Sequence, residues 1–161
     1  MGKSSKGFSL IELLIVVAII LVIAAIAVPN FIRSRVAANQ TSAVASLHTL
    51  VIAEATYSST YGAGYSINML YLESPSTSGA TPTSTAAGLI DSVLASGIKS
   101  GYSFGYSPGA IDGSGRVNAF NFTALPISSS TGTQYYYVDD SGVIRQNATI
   151  PAGATDSPVG N

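Results

Sequence analysis

Residues Lys6–Ile32 read "KGFSLIELLIVVAIILVIAAIAVPNFI". Leu13 to Ile32 carries no charge, and Asn30 is its one clearly polar residue. About 20 such residues are enough to cross a hydrocarbon layer about 30 Å thick. Lys3 and Lys6 precede the run and hold the extreme amino terminus on the cytoplasmic side, with the carboxyl-terminal bulk outside. One residue does not fit a plain membrane anchor. Glu12 is a carboxylate at the head of the apolar run, where it costs roughly 2.5–3.5 kcal/mol if drawn toward a membrane centre.

Two readings compete. The first is a secretory signal peptide, with Ala25-Ile26-Ala27 as an Ala-x-Ala site cut after Ala27, which would release an exported soluble protein. Against it, the apolar pattern continues through Val28, Phe31 and Ile32, and a disposable signal gains nothing from Glu12. The second is a cut after Gly7. It removes both lysines and creates an α-amino group on Phe8, with an unperturbed pKa of about 7.7–8.0. That amine lies one helical turn before Glu12, on the same face. The carboxylate can take this cation from its own chain or from a neighbouring copy. Only the second arrangement makes the pair a device for assembly.

The rest of the sequence narrows the classes. Among 161 residues, 9% are charged and the formal net charge is -1, well below the roughly 25% charged residues of ordinary soluble domains. The basic residues form no block, so there is no electrostatic footprint for nucleic acid. Cysteine is absent, which removes disulfides and thiol chemistry. No phosphate loop, nucleophile motif or flanked carboxylate pair marks an enzyme, and no cofactor site is indicated. His48, the sole histidine, has no companion ligand and receives no site role.

Beyond Asn30 the apolar residues Val36, Ala43, Val44, Leu47, Leu50, Val51 and Ala55 recur at helical spacing. Arg33, Arg35, Asn39, Gln40 and Glu54 supply polar faces, and Tyr61-Gly62 is a stop. A helix over 8–61 would be about 80 Å long at 1.5 Å per residue. A domain of this size has no use for it, so half must be covered by lipid or by other copies. The Ser/Thr/Gly/Pro-rich connector after Gly62 should lie exposed. A short helix is expected within "STAAGLIDSVLASG" (84–97), with Ser84 or Thr85 as cap and Leu89, Ile90, Val93 and Leu94 on its apolar face. From Gly101 the period becomes two: Tyr102, Phe104 and Tyr106, then Phe120, Phe122 and Ala124, then "QYYYV" and a strand starting near Val143. These predict an α+β fold in which four short antiparallel strands pack on the carboxyl-terminal half of the helix.

"KGFSLIELLIVVAII" resembles the signal of type IV pilins and of the pseudopilins of type II secretion systems: a short basic leader ending in Gly7, Phe8 next, Glu12 at the fifth mature position, then a long apolar helix. The resemblance is specific over about the first 35 residues and only architectural beyond them. It implies a leader over 1–7, a helix over 8–61 whose part 8–32 spans the membrane or forms a filament core, and a head over 62–161. Within the head, composition and the period-two pattern place a connector with the short helix at 62–97, strands at 98–150 and a tail at 151–161. The resemblance also implies cleavage after Gly7 by a prepilin peptidase, N-methylation of Phe8, and polymerisation of identical chains through Phe8 and Glu12. Inner-membrane pilus or secretion machinery would handle the subunit, moving it from the inner membrane to an extracellular pilus or a periplasmic pseudopilus. Pro29 matches the family's kink position, and on its own chemistry it clashes with the Ala25 carbonyl, so a bend or local opening is expected. Asp139 and Asp140 match the region where major pseudopilins can bind calcium, but hairpin-turn chemistry alone explains them. Many pilins staple the carboxyl-terminal region with a disulfide; here the tail "PAGATDSPVGN" has no evident staple. Sequons begin at Asn39, Asn121 and Asn147, at the frequency that chance gives in so Ser/Thr-rich a chain.

Overall fold

A computed structural model describes residues 7–77 and 79–160; the leader lysines Lys3 and Lys6 lie outside them. The chain forms two compact units, residues up to Arg35 and residues from Val36 onward. Helix α1 (Leu10–Tyr61) is continuous, with Pro29 inside it. It begins two residues later than expected and stops where expected: Gly62 takes φ 65°, the left-handed conformation that closes a helix. No opening occurs at Pro29. The Asn30 side chain donates to the Ile26 carbonyl at 3.1 Å, one residue beyond the carbonyl that the proline leaves without a donor.

In the first unit α1 buries nothing. In the second, Ala43, Ser46, Leu47, Leu50, Ala53, Glu54 and Tyr57 are buried, a spacing of three and four that gives one helical face. They join the core of the sheet, with Tyr102, Phe104, Phe122, Ala124 and Val138. The sheet has six antiparallel strands in chain order, not four: β1 (Ile98–Lys99), β2 (Tyr102–Pro108), β3 (Phe120–Pro126), β4 (Tyr135–Asp139), β5 (Arg145–Asn147) and β6 (Ser157–Pro158). The two central pairings follow the period-two reading, with Phe104 opposite Ala124 and Phe122 opposite Val138. β1 and β6 are two residues long, too short to show alternation. The fourth expected strand starts at Arg145, because Val143 and Ile144 after Gly142 are irregular and do not pair with β4.

Two further expectations are corrected. The short helix α2 covers only Ser92–Ala95 and is capped by Asp91, whose carboxylate accepts from the Leu94 N–H at 2.8 Å. Residues 84–90 cannot join it: Gly88 has φ 71°, and Ile90 bridges in parallel to Glu73. Val93 therefore points outward while Leu94 is buried. The tail is tied down after all. Asp156 accepts from the Gly153 N–H at 2.8 Å and from the Asn147 side chain at 3.0 Å, and its carbonyl accepts from Arg145 at 2.9 Å. β6 pairs with β5 beside this knot. The connector after Gly62, expected to lie exposed, is so only in part: residues 74–77 and 79–85 are largely exposed, whereas Gly64, Ser66 and Ala87 are buried, as are Met69 and Leu72 in a 3-10 turn.

Candidate assembly surface

Gly7, Phe8 and Ser9 precede the first turn of α1 and are exposed, Phe8 at 88%. Glu12 is in that first turn, and its carboxylate accepts from the Ser9 backbone N–H at 2.9 Å. Ser9-x-x-Glu12 is thus the acidic half of a capping box, which satisfies one donor that a helix start leaves open. The negative charge also faces the positive end of the helix dipole. Glu12, expected to pair only with the Phe8 amine, thus has a second role, and the Ser9-x-x-Glu12 spacing is its signal in the sequence. This local bond uses one acceptor site of a carboxylate that has about four, so capacity for a cation remains.

The surface around these residues is apolar without interruption. Leu10, Ile11, Leu13, Leu14, Ile15 and the larger aliphatic residues on to Ile32 are all exposed. α1 is long and apolar enough to cross a membrane. Contiguous apolar area of this size is not left in water by soluble monomers; it belongs against lipid or protein. The Ala25-Ile26-Ala27 site lies well inside the helix.

The remaining candidates lie in the second unit. Asp139 is the first residue of a turn: its carboxylate accepts from the Ser141 N–H at 3.0 Å and from the Ser141 hydroxyl, and Gly142 follows with φ 74°. Among the described residues no group of three or more His, Asp or Glu side chains gathers around a point that could hold a metal. His48 is exposed on α1. The side-chain amides of Asn39 and Asn147 are engaged, donating to the Thr131 carbonyl at 2.9 Å and to Asp156 at 3.0 Å.

Glu54 departs furthest from expectation. Read as part of a polar face, it is fully buried. Both carboxylate oxygens are bound by Ser66, through its N–H at 2.8 Å and its hydroxyl at 2.6 Å, and the Tyr106 hydroxyl donates to the Ser66 carbonyl. Burial pushes the Glu54 carboxyl above its ordinary value, against the opposing pull of the Ser66 hydrogen bonds. This network ties the last turns of α1 to β2 and has no access to a substrate. A signal for it existed: Leu47, Leu50 and Tyr57 stand seven, four and three residues away, on the same face.

Comparison with known proteins agrees with the geometry at the amino terminus. Residues 2–28 match the model of the prokaryotic N-terminal methylation motif. The chain is 49% identical over 49 residues to the type IV wide pilus major component PilA4 of Thermus thermophilus, covering 30% of this chain and 37% of that protein. It is 47% identical over 53 residues to the type IV major pilin protein PilA of Myxococcus xanthus, covering 33% of this chain and 24% of the relative. The chain thus spans well under half the length of the curated relatives it matches. No solved structure matches it. The long apolar helix, the antiparallel sheet and the motif together make this chain similar to type IV pilins, with the sequence likeness concentrated in its amino-terminal segment.

Proposed function

We propose that the chain is a structural subunit of a type IV pilus-like filament. It is made as a precursor held in the inner membrane by α1, cut after Gly7 by a prepilin peptidase, methylated on Phe8, and polymerised with copies of itself through the apolar half of the helix. The observation that carries this reading is the unburied, largely apolar surface from Phe8 to Ile32, in which Glu12 is the one charged residue. In lipid that surface is satisfied. In a filament it is satisfied again by the same surface of other copies, and the polymer is driven by helix packing with no folded enzyme site required.

Glu12 gives the exchange a direction. After cleavage the only cation near the start of the helix is the new amine. A subunit arriving beside a growing end places its amine against the Glu12 of a copy already there. Removing one member of a buried ion pair typically costs about 3–5 kcal/mol, so a neighbour displaced along the axis leaves both charges uncompensated and is disfavoured. Pro29 contributes by leaving the Ala25 carbonyl without its intrahelical donor, a point at which the helix can bend when copies pack.

The test is mass spectrometry of the native amino terminus, on filaments sheared from the cells. A mature chain beginning at methylated Phe8 is expected. A chain beginning at Val28, or one found soluble outside the cell with no filament, overturns the reading.

A further inference from the structure

The apolar run ends in two cations. Arg33 and Arg35 follow Ile32 directly and are exposed, and among the described residues the single ion pair is Lys99–Asp91, at 3.1 Å. The other polar side chains at this level are turned back onto their own helix: Asn30 donates to the Ile26 carbonyl and Ser34 to the Asn30 carbonyl, at 3.1 and 3.0 Å. The two guanidinium groups are therefore the outward polar groups here. Two positions apart on a helix, they project about 200° from one another. They make a collar around α1, not a stripe along it.

The spacing to the other end of the run is informative. From Glu12 to Arg33 the helix rises about 32 Å, close to the thickness of about 30 Å of a bilayer's hydrocarbon core. When Glu12 lies at one edge of the hydrocarbon, the collar lies at the other, and a shift of one turn either way draws a charge into it. Arginine suits this place: its stem runs along the apolar surface while its planar fork binds phosphate oxygens in pairs. A collar facing opposite directions suits a continuous surface of headgroups, whereas one carboxylate on one neighbour reaches only one of the two. Once the leader is gone, Lys3 and Lys6 go with it, and Arg33 and Arg35 are the remaining basic side chains flanking the run.

We propose that Arg33 and Arg35 bind the phosphates of anionic phospholipids in the leaflet where α1 leaves the membrane, and so set the depth at which the unassembled subunit is stored. This rests on the filament-subunit reading. It adds a lipid partner that acts before polymerisation and has to be released during it.

The chain has no cysteine, so an Ala38→Cys variant of the full chain takes a single depth-sensitive fluorophore one turn beyond the collar. The labelled protein is reconstituted in phosphatidylcholine vesicles and in vesicles containing phosphatidylglycerol, and depth is read with lipid-borne quenchers. Anionic lipid is expected to hold the label at one depth, and raised salt to weaken the hold. Arg33→Gln with Arg35→Gln should abolish the dependence on anionic lipid and move the label by about 5 Å, one helical turn. Arg33→Lys with Arg35→Lys should retain the dependence. Equal label depth for parent and double-glutamine chains in anionic vesicles overturns the proposal. If that chain also fails to enter filaments in cells, the arginines belong to contacts between subunits. Depth is read without cleavage or polymerisation, so the collar can fail while mass spectrometry still finds Phe8 at the mature end, and the converse is equally visible.

Discussion

Glu12 and Glu54 stand in the two halves of one helix and are placed in opposite ways. Glu12 is exposed within an apolar surface, with one hydrogen bond to the backbone of Ser9. Glu54 is enclosed, with both oxygens bound by Ser66. The residues around them differ in the same sense: the aliphatics from Leu10 to Ile32 have nothing over them, while Leu47 and Leu50 are fully buried. A carboxylate whose requirements are met inside the chain is part of the fold. One that sits in an apolar surface with acceptor capacity to spare is available to another molecule. Glu54 and its neighbours stabilise the head, and Glu12 and its neighbours await a partner.

The largest effect that separates them is on assembly. Glu12→Ala should leave cleavage after Gly7 intact and abolish incorporation into filaments, seen as processed subunit in the membrane fraction and none in the sheared fraction. Glu12→Gln sharpens the point, because glutamine still accepts from the Ser9 N–H as a cap but carries no charge. Filaments in the glutamine chain would assign Glu12 to helix capping alone. Next in size is the contrast of two leucines. Leu47→Ala should cost the head about 2–5 kcal/mol, and Leu14→Ala should change head stability by less than about 0.5 kcal/mol, both by denaturation of detergent-solubilised protein followed through the tyrosine signal. Equal effects would break the division between the halves.

The smallest effect is the pH dependence of the head. Because the folded state raises the Glu54 carboxyl above its ordinary 4.5, it holds the proton more tightly than the unfolded chain does. That contribution is complete below 4.5 and is lost as pH rises through the folded value. The head should therefore melt at a higher temperature in mild acid than at neutral pH, and Glu54→Gln should flatten the profile. Glu54→Ala should cost about 1–3 kcal/mol for each Ser66 donor left unpaired. An unchanged profile in the glutamine chain would remove Glu54 as its source.

Much of this was readable from residues, and the exceptions have physical reasons. The apolar run, the stop at Gly62 and the alternation of Tyr102-Phe104 and Phe120-Phe122-Ala124 are periodic signals, and they gave the helix and the central strands. β1 and β6 escaped because two residues carry no period; they are held by neighbours, β6 by the knot at Asp156. The helix expected from Ser84 shrank to Ser92–Ala95 because tertiary pairing of Ile90 with Glu73 outweighed local preference. Glu54 was misassigned by residue type where spacing would have placed it in the core. At the amino terminus, Glu12 stood out because it departs from what a plain membrane anchor requires, Gly7 and Phe8 were marked by the resemblance to the pilin signal, and Ser9 was overlooked because serine there is unremarkable.

The sheet has a consequence for how the head is made. Its strands lie side by side in the order in which they are synthesised, so each can pair with the one before it and none must wait for a distant segment to return. Short-range pairing of this kind favours rapid folding. With no covalent bridge to form, the head should regain its sheet equally well in reducing and oxidising buffer.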